Sequence, residues 1–264
     1  MIRHYKDRYQ EFDYDDKEFK ESGFGITYIG KETDGSKIII PKGIKSCSDM
    51  FMNNTTLITP PKIPRTVTNC RGMFSGCTSL IRAPWIPARV TSTDFMFMYC
   101  SSLESVQYRL PDSITRASLM FIGCEKLKAA PRLPKNLIDA DEMFKGCRLI
   151  KHAPDIPASV KNCQYIFAEC TSVRNVPQIH STTYSFCGMF KNCVSLKTAP
   201  VIPESARKCI SMFEGCTALK QAPALPGSLT DARSMFKDCT ALTARPDIPS
   251  GIKRKEKMFD GCNV

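Results

Sequence analysis

"MFEGCTALKQAPALPGSL" occupies residues 212–229, and "MFKDCTALTARPDIPSGI" occupies residues 235–252. The two stretches begin 23 residues apart and share the Met-Phe pair, the Cys, the Leu and both prolines. Working outward, the Met-Phe pair recurs at Met50, Met73, Met96, Met120, Met143, Met189, Met212, Met235 and Met258, with Ile166-Phe167 as the one variant. The interval is 23 residues throughout, except that Met96 to Met120 spans 24, the extra residue falling around 107–109. The shared unit reads M-F-x-x-C-x-x-L-x-x-A-P-x-I-P-x-x-V, followed by five or six mostly polar residues. A period of this length with Leu, Ile and Cys at fixed offsets is the signature of a leucine-rich solenoid.

One such unit is too short to bury its own apolar face, whereas stacked neighbours build a core that runs the length of the array. The sequence therefore predicts a leucine-rich-repeat-like β-solenoid of about ten coils, with short parallel strands joined by tight helical turns. The phenylalanines from Phe51 to Phe259 should form one internal column. The residues from Leu57 to Leu242 should form a second, and those from Ile63 to Ile248 a third. Each coil should advance by about one strand spacing, ~4.8 Å.

The stretches "MFSGCTSL" (73–80), "MFEGCTAL" (212–219) and "IPASVKNC" (156–163) resemble the BspA-like leucine-rich repeats, and the resemblance runs over about residues 38–264. It implies a non-catalytic β-solenoid. Members are often cell-surface adhesins, and others occur in protist parasites and viruses. The sequence opens on "MIRHYKDRYQEFDYDDKEFK", which has no apolar stretch or cleavage site of a secretory leader. No run of 18 apolar residues is present to span a membrane. The expected location is cytoplasmic.

Fourteen cysteines in such a compartment are expected to be free thiols. Nine hold one place in the repeat, from Cys77 to Cys262, with Asn54 in that place in the first unit. A small side chain there should pack inside a turn with its S–H on a backbone carbonyl. Cys47, Cys70, Cys163 and Cys209, three residues before the Met-Phe position, should pack similarly. No C-x-x-C pair occurs, and His4, His152 and His180 are scattered, so no metal or other cofactor is expected. No nucleophile elbow, H-E-x-x-H, phosphate loop or dinucleotide fingerprint appears, so no enzyme is expected either.

Solenoid ends expose core and strand edges and need covering. Tyr5, Tyr9 and Phe12 fall at i, i+4 and i+7, which predicts an amphipathic helix within residues 1–22, either lying over the first coil or free as a tail. "ITYIGKETDGSKIIIP" (26–41) reads as a hairpin turning at Asp34-Gly35, within a capping segment 23–45 that precedes the solenoid proper at 46–264. At the other end, the last unit stops at "MFDGCNV". Either an end-to-end homodimer or irregular backbone would cover it.

Function in a solenoid falls to the variable positions between framework residues. The place after the framework Leu reads Ile58, Ile81, Glu104, Lys128, Lys151, Arg174, Lys197, Lys220, Thr243, with five successive basic residues. Duplication of one ancestral Lys would give the same column. A second column, between Pro and Ile, holds Lys62, Trp85, Arg109 (after the inserted Tyr108), Arg132, Asp155 and Gln178. Trp85 is the only tryptophan. Residues after 22 carry 32 Lys and Arg against 19 Asp and Glu, a balance of +13 that attracts acidic partners. The expected function is a non-enzymatic module that recognises an acidic protein surface. Trp85, Tyr108, Arg109 and Arg132 would be anchors, and Lys128, Lys151, Arg174, Lys197 and Lys220 would steer. An intracellular effector or virus-encoded inhibitor is one specific form. The alternatives are nucleic-acid binding along the stripe and self-assembly through the chain's end.

Overall fold

The structure is a computed structural model that describes residues 1–23, 25–106, 109–180 and 182–264. From residue 46 onward the chain repeats one coil. The phenylalanines stand in file from Phe51 to Phe259, each ring 5.5–5.9 Å from the next and most nearly parallel to it. The second column, from Leu57 to Leu242, is wholly buried. The third fades toward the C-terminal coils: Ile63 is buried, Leu225 is half-buried, and Ile248 is 38% exposed. The methionines of the Met-Phe pairs are as buried as the phenylalanines, and Val67, Val90, Ile114, Leu137 and Val160 form a further buried column.

Adjacent Met and Phe can both face inward because the segment is not a strand. In the second coil, Met73, Ser75 and Cys77 donate their N–H groups to carbonyls three residues back, while Cys70, Gly72, Phe74 and Gly76 donate to the following coil. Alternate amides thus close turns and join coils, which leaves no orphan donors along the segment. The first and last of these three turns place their third residue at positive φ, as type II turns do. Two residues per coil, four apart, meet that demand: Asp49 and Asn53, Gly72 and Gly76, Phe95 and Tyr99, and so on to Lys257 and Gly261. Elsewhere the coils meet through isolated parallel bridges such as Ser46–Asn69, Asn69–Ser92 and Ser92–Arg116. Among the described residues no continuous parallel strand forms, so the expected short strands shrink to single bridged residues between turns.

The N-terminal segment covers the first coil, but not as a helix. β1 (Ile2–Lys6) pairs antiparallel with β2 (Glu11–Asp15), and β3 (Phe19–Ser22) pairs antiparallel with β4 (Gly25–Tyr28). The i, i+4, i+7 spacing of Tyr5, Tyr9 and Phe12 misled because period two wins. In β2, Phe12 and Tyr14 are buried while Glu11 and Asp13 are exposed. Tyr5 stacks across the pair on Phe12 at 5.1 Å, and Tyr9 lies in the connecting turn, whose amides Asp7 accepts. Opposite charges face across the strands, with Lys6 on Glu11 and Arg3 on Asp16.

The expected hairpin around Asp34-Gly35 is also corrected. Residues 25–28 pair backward with 19–22, and Asp34 instead caps a short 3-10 turn over Gly35–Lys37. Gly35 serves by its lack of a side chain: a Cβ there would strike the Thr59 carbonyl and the Pro60–Pro61 backbone.

The cap supplies what a preceding coil would. Tyr28 continues the aromatic file, its ring 5.2 Å from Phe51, and its N–H donates to the Met50 carbonyl at 2.8 Å. The buried Gln10 side chain accepts the Lys45 and Ser46 amides through Oε1, both at 3.1 Å. One coil later the Lys45 carbonyl accepts Thr68 and Asn69 in the same way. Gln10 therefore replaces the carbonyl of an absent earlier coil.

Candidate binding face

The coil geometry decides which variable residues can act together. Backbone bonds join five of the eight steps in the column after the framework Leu: Ile81 N–H to Ile58, Glu104 to Ile81, Lys128 to Glu104, Arg174 to Lys151 and Thr243 to Lys220. Its side chains are exposed, apart from the half-buried Glu104. Lys128 is not free, since Nζ sits 2.7 Å from Glu104 Oε2, and that contact holds the Glu104 carboxyl below its usual range. Lys151, Arg174, Lys197 and Lys220 have no ion pair among the described residues. The five-residue stripe thus contains four uncommitted cations.

The second column does not form one patch. Trp85 lines a groove of about 710 Å³ with Pro60, Pro61 and Pro84. Arg109 and Arg132 line a separate groove of about 540 Å³, joined by Lys135, His152, His180 and Asp155. Tyr108, expected beside them, lies outside the described residues. Asp112 stands against the second groove's cations, 3.8 Å from Arg109. Its carboxyl is lowered first by the Lys135 amide and then by the charges of Arg109, Lys135 and Arg132. His152 Nδ1 lies 2.9 Å from the Asn175 amide nitrogen, which donates to it. Two of the three histidines, scattered in sequence, are brought together here because His152 and His180 sit on neighbouring coils, linked by the Ile156–Ile179 bridge and the His180 N–H to Ile156 carbonyl bond, while His4 pairs with Asp13 and Glu11 in the cap. Both grooves open on the residues around the recurrent Ala-Pro, immediately downstream of the stripe. Arg82 and His152, each two residues after the framework Leu or Ile, repeat one offset that could have been read with the stripe, whereas Lys62 and Lys135 lie five and eight residues after it.

The cysteines take no part in this face. Each of the nine repeat cysteines points its Sγ at the Phe carbonyl of the preceding coil, from Cys77 on Phe51 at 3.1 Å to Cys262 on Phe236 at 2.9 Å. All fourteen cysteines are free. Burial pushes the Cys70, Cys77 and Cys163 thiols up to about 12, which suppresses the nucleophilic thiolate. Among the described residues no group of three or more His, Cys, Asp or Glu is placed to hold a metal ion. None of the described helices is long and apolar enough to cross a membrane.

The ten-membered aromatic file, the bridged turns and the repeat spacing define a solenoid of the leucine-rich-repeat class. The model of the BspA-type leucine-rich repeat region matches residues 31–128, 93–220 and 140–264 in six copies, and the chain belongs to that family. Repeats of this kind are typically non-catalytic binding scaffolds. No curated protein matches the sequence. Among solved structures, a leucine-rich cell-surface protein of Faecalibacterium prausnitzii is similar at 20% identity over 91% of this chain and 93% of its own, with a TM-score of 0.39. A leucine-rich repeat protein of Eubacterium ventriosum is similar at 14% identity over 84% and 82%, with a TM-score of 0.46. A third, from Bacteroides ovatus, aligns at 19% identity over 99% and 91%, with a TM-score of 0.38.

Proposed function

We propose that this chain is a recognition module that docks an acidic surface of a protein partner on the face carrying the stripe and the two grooves. The observation that carries the reading is the set of four exposed cations, Lys151, Arg174, Lys197 and Lys220, on successive coils without ionic partners among the described residues. Placed about 4.8 Å apart, like charges repel by roughly 0.8 kcal/mol per adjacent pair in bulk water before screening. The fold gains nothing from that arrangement, whereas an acidic partner does. A rigid face adds little ordering cost to binding. Trp85, Arg109 and Arg132 supply the residue types that dominate interface energetics, and Lys128 contributes once its contact with Glu104 is exchanged. Free thiols throughout support action inside a reducing compartment.

The test is capture of partners from the source organism, identified by mass spectrometry, with wild type against a Lys151→Glu/Arg174→Glu/Lys197→Glu variant. The reading predicts loss of the main partner from the variant. An unchanged partner set would make the stripe a solvated face. If nucleic acid is recovered instead, with affinity falling steeply between low and physiological salt, phosphate contacts replace the protein partner as the explanation.

A further inference from the structure

The groove at Trp85 differs in kind from the rest of the face. Its floor is apolar, formed by Pro60, Pro61 and Pro84 with the indole of Trp85. Its remaining charged lining is entirely cationic: Lys62, Arg65 and Arg82. None of the three is in an ion pair among the described residues, and no carboxylate lines the groove. The nearby Asp34 is already engaged, accepting from the Thr59 hydroxyl at 2.6 Å and from the Ser36 amide. By contrast, the Arg109–Arg132 groove contains Asp155 and abuts Asp112, so its cations are partly neutralised.

Trp85 is 43% exposed and makes no demand on the fold, because other coils hold Lys62, Asp155, Gln178 or Val201 at the same place. The groove is also fixed in shape. The cap's 3-10 turn seats Gly35 against the Thr59–Pro61 backbone at a distance no side chain would permit. Flat proline and indole facets pack an apolar side chain of similar shape, and aromatic-lined grooves recurrently take proline-containing extended segments. Cations around an apolar floor select carboxylates on the same segment.

We infer that this groove binds an acidic peptide segment of the partner, laying a proline or aromatic side chain on Trp85 while flanking carboxylates pair with Lys62, Arg65 and Arg82. The inference rests on the protein-docking reading and specifies the partner's chemistry at one point of it.

Because Trp85 is the sole tryptophan, its fluorescence reports this groove alone. The full chain is titrated with the synthetic peptide Glu-Glu-Pro-Phe-Pro-Glu-Glu, blocked at both ends, and with a counterpart in which Lys replaces every Glu. The acidic peptide should shift Trp85 emission saturably, and the basic one should need at least about tenfold more. An Arg65→Glu/Arg82→Glu variant, folded by circular dichroism, should bind the acidic peptide at least about tenfold more weakly. Absence of a saturable shift at millimolar peptide, or equal responses to both peptides, overturns the inference. So does an unchanged response from the Arg65/Arg82 variant. If the peptide fails while stripe-dependent capture of the partner persists, the groove assignment falls alone. If the peptide binds while capture ignores the stripe, the broader docking reading falls instead.

Discussion

Replacing Gln10 with Leu tests how the cap closes the solenoid. Gln10 is 6% exposed and its Oε1 accepts two amides, Lys45 and Ser46, at 3.1 Å each. Leu has similar bulk and no acceptor, so packing is kept while both donors lose their partner. A buried donor left unsatisfied costs about 1–3 kcal/mol. Lys45 itself is exposed, which lets water reach part of the site, so the lower half of the combined range, about 2–4 kcal/mol, is expected. Gln10→Glu keeps the accepting oxygen and should lose much less. The assay is amide hydrogen exchange read at residues 44–47, alongside urea unfolding. A 2 kcal/mol loss corresponds to about 30-fold faster exchange at Lys45 and Ser46, with little change at Thr68 and Asn69, whose acceptor is the Lys45 carbonyl. Equal protection in Gln10→Leu and wild type would refute the idea that this side chain stands in for a missing coil. So would equal losses in the Leu and Glu variants.

Three further outcomes follow from the coil. Phe144 lies between Phe121 at 5.5 Å and Phe167 at 5.7 Å, so Phe144→Ala should cost the upper part of the ~3–5 kcal/mol range for buried Phe in urea unfolding. Phe259, half-buried with one neighbour in the file, should cost less than half as much. Gly188→Ala should destabilise by more than the ~1 kcal/mol of a left-handed alanine, because its Cβ would meet the Tyr165 ring, whereas Gly146→Ala, 3.6 Å from its nearest neighbour, should stay near that value in the same assay. Alkali should unfold the chain steeply. The folded-state thiol values of Cys70, Cys77 and Cys163 are raised from 9.0 to about 12. Their stabilising contribution is complete below about 9 and is lost at about 1.4 kcal/mol per thiol per pH unit up to about 12. Circular dichroism against pH, repeated on a Cys70→Ala/Cys163→Ala variant, should show a shallower loss in the variant.

Much of the fold was legible because the repeat writes each framework position many times: one Phe is ambiguous, but ten at fixed spacing define a file. The S–H to carbonyl contact of the cysteines was legible for the same reason. The cap was not, since Tyr5, Tyr9 and Phe12 satisfy helical spacing by coincidence and occur only once. The competing alternation of Glu11, Phe12, Asp13 and Tyr14 decides the strand. Asp34-Gly35 looked like a turn pair because glycine's freedom in φ was assumed, when its use is close approach to Thr59. The left-handed pairs were partly written in Gly72 and Gly76, Asn53 and Asp238, but Phe95, Tyr99 and Tyr165 at equivalent places hid the rule. On the candidate face, the columns were readable and their grouping was not. Trp85 and Arg109 share a column yet line different grooves, a consequence of side-chain shape on coils that spacing alone does not specify.

The claim beneath all of this is that each 23-residue unit adds one rung and sets equivalent side chains side by side. Spin labels on cysteines introduced at Ile58, Lys151 and Thr243 measure it directly, since these exposed sites are four coils apart in turn. Pulsed electron–electron spectroscopy should give about 19 Å for each adjacent pair and about 38 Å for the outer pair, apart from the reach of the labels. Adjacent distances that differ widely, or an outer distance no longer than the inner ones, would contradict a regular stack.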